Sequence, residues 1–172
     1  PQDFQAGYEC ARVLRELKRP AEAQRILGGI ALPKDAALAS KYFALLAVVS
    51  EERNDVLAAE RLFRRAYDLA PDSFDIFLSL VRIQLRSSPT SARLTLPAPP
   101  RDLSAEQHFG LGLMFASHND WADAIPHFEK TLRVEPSSAA ATYNLALAYR
   151  GAARAEDAIS LLTRAVEQRP NA

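Results

Sequence analysis

The chain has 172 residues, enough for one ordinary globular domain or for about five stacked units of the helical-repeat type. Nearly half of the residues (48%) are apolar, so a continuous core can be buried, and the formal charge is zero at pH 7, which removes any whole-chain case for nucleic acid or an acidic membrane surface. Cys10 stands alone, which excludes an internal disulfide and a cysteine metal cluster, and no apolar run approaches the roughly 18–20 residues of a membrane span.

From the N-terminus, Phe4, Tyr8, Ala11 and Leu14 recur at three- and four-residue steps with Val13 and Leu17 flanking, which predicts a helix over Phe4–Leu17. Lys18-Arg19-Pro20 ends it. Pro20 suits the first turn of the next helix, Ala21–Leu27, which is expected to close at Gly28-Gly29. Leu32-Pro33-Lys34-Asp35 forms a joint, and Asp35 caps a long helix from Ala36 to about Glu52. Asn54-Asp55 turns the chain into a second helix over Val56–Leu69. Ser73 caps a helix over Phe74–Arg86.

Beyond that helix the rhythm breaks. Only Thr90–Leu96 is available before Pro97-Ala98-Pro99-Pro100, which predicts a truncated helix of about two turns and then an extended, proline-stiffened loop to Leu103. Such a loop reads either as a surface insertion that drifts freely or as a hinge or docking loop. Ser104, with Gln107 three residues on, is a capping box that opens the next helix. The second helices of the last two units begin near Asp120 and Arg154, and Pro126 falls close enough to the start of the first to be tolerated.

Two adjacent segments, Ala105–Ser138 and Ala139–Ala172, share one pattern at an offset of 34 residues. Leu111, Gly112 and Phe115 answer to Leu145, Ala146 and Tyr149; Ala124, Phe128 and Pro136 answer to Ala158, Leu162 and Pro170. Ser40–Ser73 repeats it through Leu46, Ala47, Ala59, Phe63, Ala66 and Pro71. This alternation of small and large residues resembles the tetratricopeptide repeat (TPR) family.

The resemblance implies an all-α fold, a right-handed superhelix of about five helix-turn-helix units forming a single solenoid over 1–172. The units are about 4–39, 40–73, an irregular and truncated 74–104 with its proline-rich loop 97–100, 105–138 and 139–172. Small residues at Gly112, Ala124, Ala146 and Ala158 then let paired helices approach, and larger neighbours fill the gaps. The chain begins at Pro1 and ends just after a repeat's closing proline, so it reads as a piece of a larger bacterial-type protein, with cytoplasmic and periplasmic settings both open. Leu161, Ala165 and Val166 are expected to face an open C-terminal end, where the chain continues, docks on another molecule or associates with itself.

Catalytic signals are weak. His118 and His127 flank Asp120 and Asp123, but one histidine falls in a turn and the other two turns into a helix, which does not suit convergent metal ligands. His108 stands where the family often has a packing aromatic. No serine or cysteine has a base at a recognisable spacing, Gly110-Leu111-Gly112 is not a phosphate loop, and the charge pairs Glu51-Glu52 and Arg64-Arg65 read as solvated surface. The chain is therefore expected to be no enzyme, with no cofactor and no metal.

The TPR resemblance implies a concave groove lined by first helices. Carried onto this chain it is an apolar strip of Leu78, Phe109, Leu113, Tyr143 and Leu147, with Arg82 and Arg150 as rim cations and Asn144 beside them. Asn144 matches one position of the family's clamp for acidic chaperone tails, but the other clamp positions are missing, which counts against that ligand. The implied function is a protein–protein interaction scaffold that takes a partner peptide or protein, with no nucleic acid and no membrane span. The alternative is a regulatory or substrate-presenting domain of a larger transferase- or peptidase-type enzyme.

Overall fold

The structure is a computed structural model that describes residues 2–88 and 95–168. Among the described residues there are nine α-helices and no β-strand. Contacts divide the chain into two compact units: Pro1–Ser87 with Thr95–Arg101, and Ser88–Leu94 with Asp102–Ala172.

Unit 1 holds α1 (Gln2–Glu16), α2 (Pro20–Gly29), α3 (Ala36–Glu52), α4 (Val56–Leu69) and α5 (Phe74–Ser87). The local signals act as the chemistry requires. Asp35 and Asp55 accept hydrogen bonds from the amides of Leu38 and Ala58 and so cap α3 and α4. Pro20 occupies the first turn of α2, where its missing N–H costs nothing. The expected stop at Gly28-Gly29 is corrected: both glycines are helical, and the chain leaves the helix at Ile30 as Leu32-Pro33 approaches.

Helices pair in sequence, α1 with α2 and α3 with α4, each pair resting on the next helix. Their core is one layer of Ala11, Ala23, Leu27, Tyr42, Phe43, Leu45 and Val49, and a second of Ala47, Ala59, Phe63, Leu80 and Ile83. Small and large residues alternate because alanines admit the neighbouring helix and aromatics fill what remains. Two buried hydroxyls tie α3 to its neighbours: Tyr42 donates to the carbonyl of Leu27 on α2 at 3.1 Å and Ser40 to that of Ala66 on α4 at 2.8 Å.

The segment expected as a truncated helix lies mostly outside the described residues, and Thr95 and Leu96, its last two, are not helical. The reading of the proline segment as a freely drifting insertion is corrected. Thr95–Pro100 is pinned along α4 and α5. Arg64 donates to the carbonyl of Thr95 and, at 3.2 Å, to its hydroxyl; the Gln84 side chain accepts from the Thr95 amide at 3.0 Å; Tyr67 donates to the carbonyl of Ala98 at 2.7 Å. Leu96 packs on the core layer of Phe63, Leu80 and Ile83, and Pro100 is buried. The strand thus covers apolar surface that a second helix beside α5 would otherwise cover.

Unit 2 holds α6 (Ala105–Ser117), α7 (Trp121–Val134), α8 (Ala139–Gly151) and α9 (Ala155–Gln168). The capping box at Ser104 forms in full, with Gln107 returning a bond to the Ser104 amide at 2.9 Å. Pro126 sits inside α7 as expected. The core is built on Leu111, Phe115, Phe128, Ala141, Leu145 and Ala148, and Gly112 lies where the ring of Phe128 presses on α6. Each first helix of a pair ends in the same turn: Lys18, Asn54, Asn119 and Ala153 all take a left-handed conformation, at φ 59°, 63°, 59° and 58°.

Candidate functional site

Unit 1 places α1, α3 and α5 side by side around a cavity of about 500 Å³ lined by Tyr8, Lys41, Ala44, Val48, Ile76 and Ser79 among others. Leu78 is half-buried on α5. Arg82, expected as a rim cation, is already committed. Its guanidinium grips both carboxylate oxygens of Glu51, the second at 2.8 Å, and Arg86 approaches the same carboxylate at 3.4 Å while donating to Asn54 at 2.8 Å. The Glu51 side chain is only 11% exposed, so the solvated-surface reading of this glutamate is corrected. The Arg82 hydrogen bond holds its carboxyl below the usual carboxylate range against the opposing effect of burial, and the positive charge of both arginines adds to this.

The other six groove residues lie in unit 2, on α6 and α8, two helices that touch. Phe109 and Tyr143 hold equivalent places in the two repeats but differ in environment. The Phe109 ring stacks at a tilt on Phe128, 5.8 Å between centroids, so it is part of the core edge. Tyr143 is 61% exposed and Leu113 is 40% exposed, which makes them the free apolar surface of this face. Leu147 is half-buried and Arg150 exposed. The Asn144 amide donates to the carbonyl of Ala140 at 2.9 Å, a bond within its own helix. A cavity of about 420 Å³ opens beside Tyr143, lined also by Leu132, Pro136, Thr142, Leu161 and Leu162.

The histidines resolve differently from their spacing. His118 caps the end of α6, its Nδ1 3.0 Å from the carbonyl of Met114. His127 meets His108 instead, Nδ1 to Nδ1 at 3.0 Å, and lies flat on Phe115, 5.7 Å between ring centroids. One ring must donate and the other accept, so the contact holds a single proton between two nitrogens. Burial, then the partner imidazole and Lys130, push His127 down to about 4; burial, then Lys130, lower His108. No group of three or more histidine, cysteine, aspartate or glutamate side chains converges as metal ligands among the described residues. The 19-residue separation of the two histidines joins facing positions of paired helices, a signal present in the sequence once the repeat register is known.

Between the two repeats, the Tyr149 hydroxyl donates to Glu129 at 2.7 Å, and burial together with that carboxylate pushes it up to about 12. Trp121 fits over Gly151 so closely that an added Cβ would lie 2.4 Å from its ring. Both contacts fasten α7 to α8, and neither is signalled by residue spacing alone.

Residues 105–172 match a family model described as "Tetratricopeptide repeat". A comparison with curated proteins finds no match. Among solved structures, a crystal structure of MamA protein is 18% identical and aligns with a TM-score of 0.64 over 98% of this chain and 93% of that one. MamA 41-end from Desulfovibrio magneticus RS-1 is 16% identical, with a TM-score of 0.61 over 99% of this chain and 98% of that one. YrrB, described as a TPR protein with an unusual peptide-binding site, is 19% identical, with a TM-score of 0.57 over 96% of this chain and 86% of that one. At these identities the structures speak for the fold. Family model and fold agree where they overlap: residues 105–172 carry tetratricopeptide repeats, and the chain has the all-α, solenoid-type fold of these structures. That is the architecture of a protein-interaction scaffold. No helix among the described residues is long and apolar enough to cross a membrane.

Proposed function

We propose that the chain is a non-catalytic scaffold that binds a partner peptide or protein on the faces presented by the first helices of its repeats. In unit 2 the face consists of Phe109, Leu113, Tyr143, Asn144, Leu147 and Arg150; in unit 1 it includes Leu78, with Arg82 serving as a positioned half of an ion pair rather than a free cation. The observation that carries the reading is the exposure of Leu113 and of Tyr143, the latter lining an open cavity of about 420 Å³. A tyrosine with most of its ring in water adds little to the stability of a repeat, and such residues make effective anchors when a partner covers them. The peptide-binding site of YrrB favours the same use of the fold here.

Selection from a displayed random-peptide library tests this. Binders raised on the native chain are expected to lose about tenfold or more in affinity for a Leu113→Ala, Tyr143→Ala double variant. Both side chains are exposed enough that the variant should fold normally, which circular dichroism would check. Binders that hold both proteins equally would remove the unit 2 face from the proposal.

A further inference from the structure

The surface beneath Thr95–Pro100 carries polar groups that a packed helix could not satisfy. Gln84 is the eleventh residue of α5, the place where α6 and α8 carry Phe115 and Tyr149. It is 2% exposed. Its amide nitrogen donates to Glu60 at 2.8 Å, which leaves its oxygen to accept from the Thr95 amide at 3.0 Å. Tyr67, 4% exposed and braced by the Phe77 ring at 5.7 Å between centroids, donates its hydroxyl to the carbonyl of Ala98 at 2.7 Å. Buried polar atoms left without a partner are destabilising. The middle of a helix has no backbone group to give them, because its N–H and C=O are bonded within the helix. An extended chain offers both, so α4 and α5 together form a surface that reads a peptide backbone.

Two side chains of the strand add selectivity. Leu96 packs on the layer of Phe63, Leu80 and Ile83, and Pro100, four residues on, is buried, while Ala98 and Pro99 between them are exposed. The groups that receive the strand, Arg64, Tyr67 and Gln84, all belong to α4 and α5, as do their braces Glu60 and Phe77. The site is thus held in shape by its own helices. The strand, by contrast, is held lightly. Leu96 is only half-buried, Thr95 is exposed, and the bonds from Arg64 lie at the surface. Segments with few buried apolar contacts and solvent-facing hydrogen bonds open at a free energy well below that of global unfolding.

We propose that the α4–α5 surface is a docking site for an extended segment of a partner protein, with an apolar residue of leucine size and a proline four positions further on, and that Thr95–Pro100 is the intramolecular occupant such a segment displaces. The chemistry of the partner is taken from the strand that fills the site: a free N–H for Gln84, a carbonyl for Tyr67, and the two apolar anchors. This site differs in its residues from the first-helix faces proposed above, and it stands or falls separately from them. A tethered occupant competes at an effective concentration on the order of millimolar. A partner segment therefore binds the native chain more weakly than the opened site, by the fraction of molecules in which the strand is away.

Nuclear magnetic resonance titration of the isotope-labelled 172-residue chain tests this, with an acetylated peptide of residues Thr95–Arg101 as the probe. In a Leu96→Asp variant, whose strand carries a charge against the apolar layer, the peptide is expected to shift the Gln84 side-chain amide and to saturate with a Kd of about 1 mM or below. The apparent Kd for the native chain is expected to be at least about tenfold higher. Adding Tyr67→Phe to the variant removes the donor to Ala98 and is expected to weaken the peptide severalfold, and a peptide that itself carries Leu96→Asp should not bind. Leu96→Ala, which shortens the anchor without adding charge, carries the same expectation at a smaller ratio should the aspartate variant lose its helical circular dichroism. No saturable shift at Gln84 in the opened variants would overturn the proposal. Equal affinity for native and opened chains would overturn it as well, since the peptide would then be binding elsewhere.

Discussion

Gly112 and Gly110 stand two residues apart on α6 and answer to opposite pressures. A Cβ at Gly112 would lie 2.6 Å from the ring of Phe128, which is fully buried and cannot retreat. A Cβ at Gly110 would meet nothing within 4 Å. Gly112→Ala is therefore expected to cost about 1–3 kcal/mol by overpacking, while Gly110→Ala gains up to about 1 kcal/mol from helix propensity. Melting temperatures of the two variants should move in opposite directions; a shared direction would show that Phe128 has more freedom than the packing allows. The need for a small residue at Gly112 was legible because the repeat register marks the position. The histidine pair was missed, because its 19-residue step is read only when the register is carried across the two facing helices. Since burial holds both folded histidines below their ordinary value of 6.5, the unfolded state takes up protons first. The stabilisation is complete above about pH 6.5 and is lost as pH falls toward about 4. Thermal melts across that range should show a decline that is shallower in His127→Gln, and an equal slope in both proteins would remove the pair as its source.

At the scale of elements, the helices were legible and one of their partners was not. Apolar spacing and the Asp and Ser caps carried the boundaries of α3 and α4 and the start of α6, and Pro20 the start of α2, to within a residue or so, because those signals act locally on the backbone. The Thr95–Pro100 strand has no periodicity to read, and its binding site is assembled from residues about thirty positions earlier, Arg64 and Tyr67, together with Gln84. Likewise, Glu51 looked like surface until α5 brought Arg82 and Arg86 to it. Tyr67→Phe removes one of the strand's hydrogen bonds and is expected to cost about 0.5–1.5 kcal/mol. Faster hydrogen exchange at Thr95 and Leu96, with α3 amides unchanged, would show that the strand loosens separately from the helices beneath it. Unaltered exchange would mean that Leu96 and Pro100 hold the strand by packing alone.

Over the molecule as a whole, sequence and fold are visible to different depths. The family model matches residues 105–172, where two repeats keep strict register, whereas the fold likeness extends over 98% of the chain. Repeats outside that segment keep their small and large positions but lose the spacing between units, and spacing is what a pattern needs. The proline strand carries this furthest. Tyr67 holds Ala98, and Arg64 and Gln84 hold Thr95, chiefly through backbone carbonyls that every residue type offers and an N–H that all but proline offer. Leu96 and Pro100 are held by their apolar side chains, and the Thr95 hydroxyl accepts from Arg64 at 3.2 Å. Saturation mutagenesis should accordingly find residues 97–99 permissive and Leu96 restrictive, and equal intolerance along the strand would contradict this. A segment held in this way is free to drift through generations of substitution while its path stays the same, so its ancestry fades from the written sequence long before its place in the fold is lost.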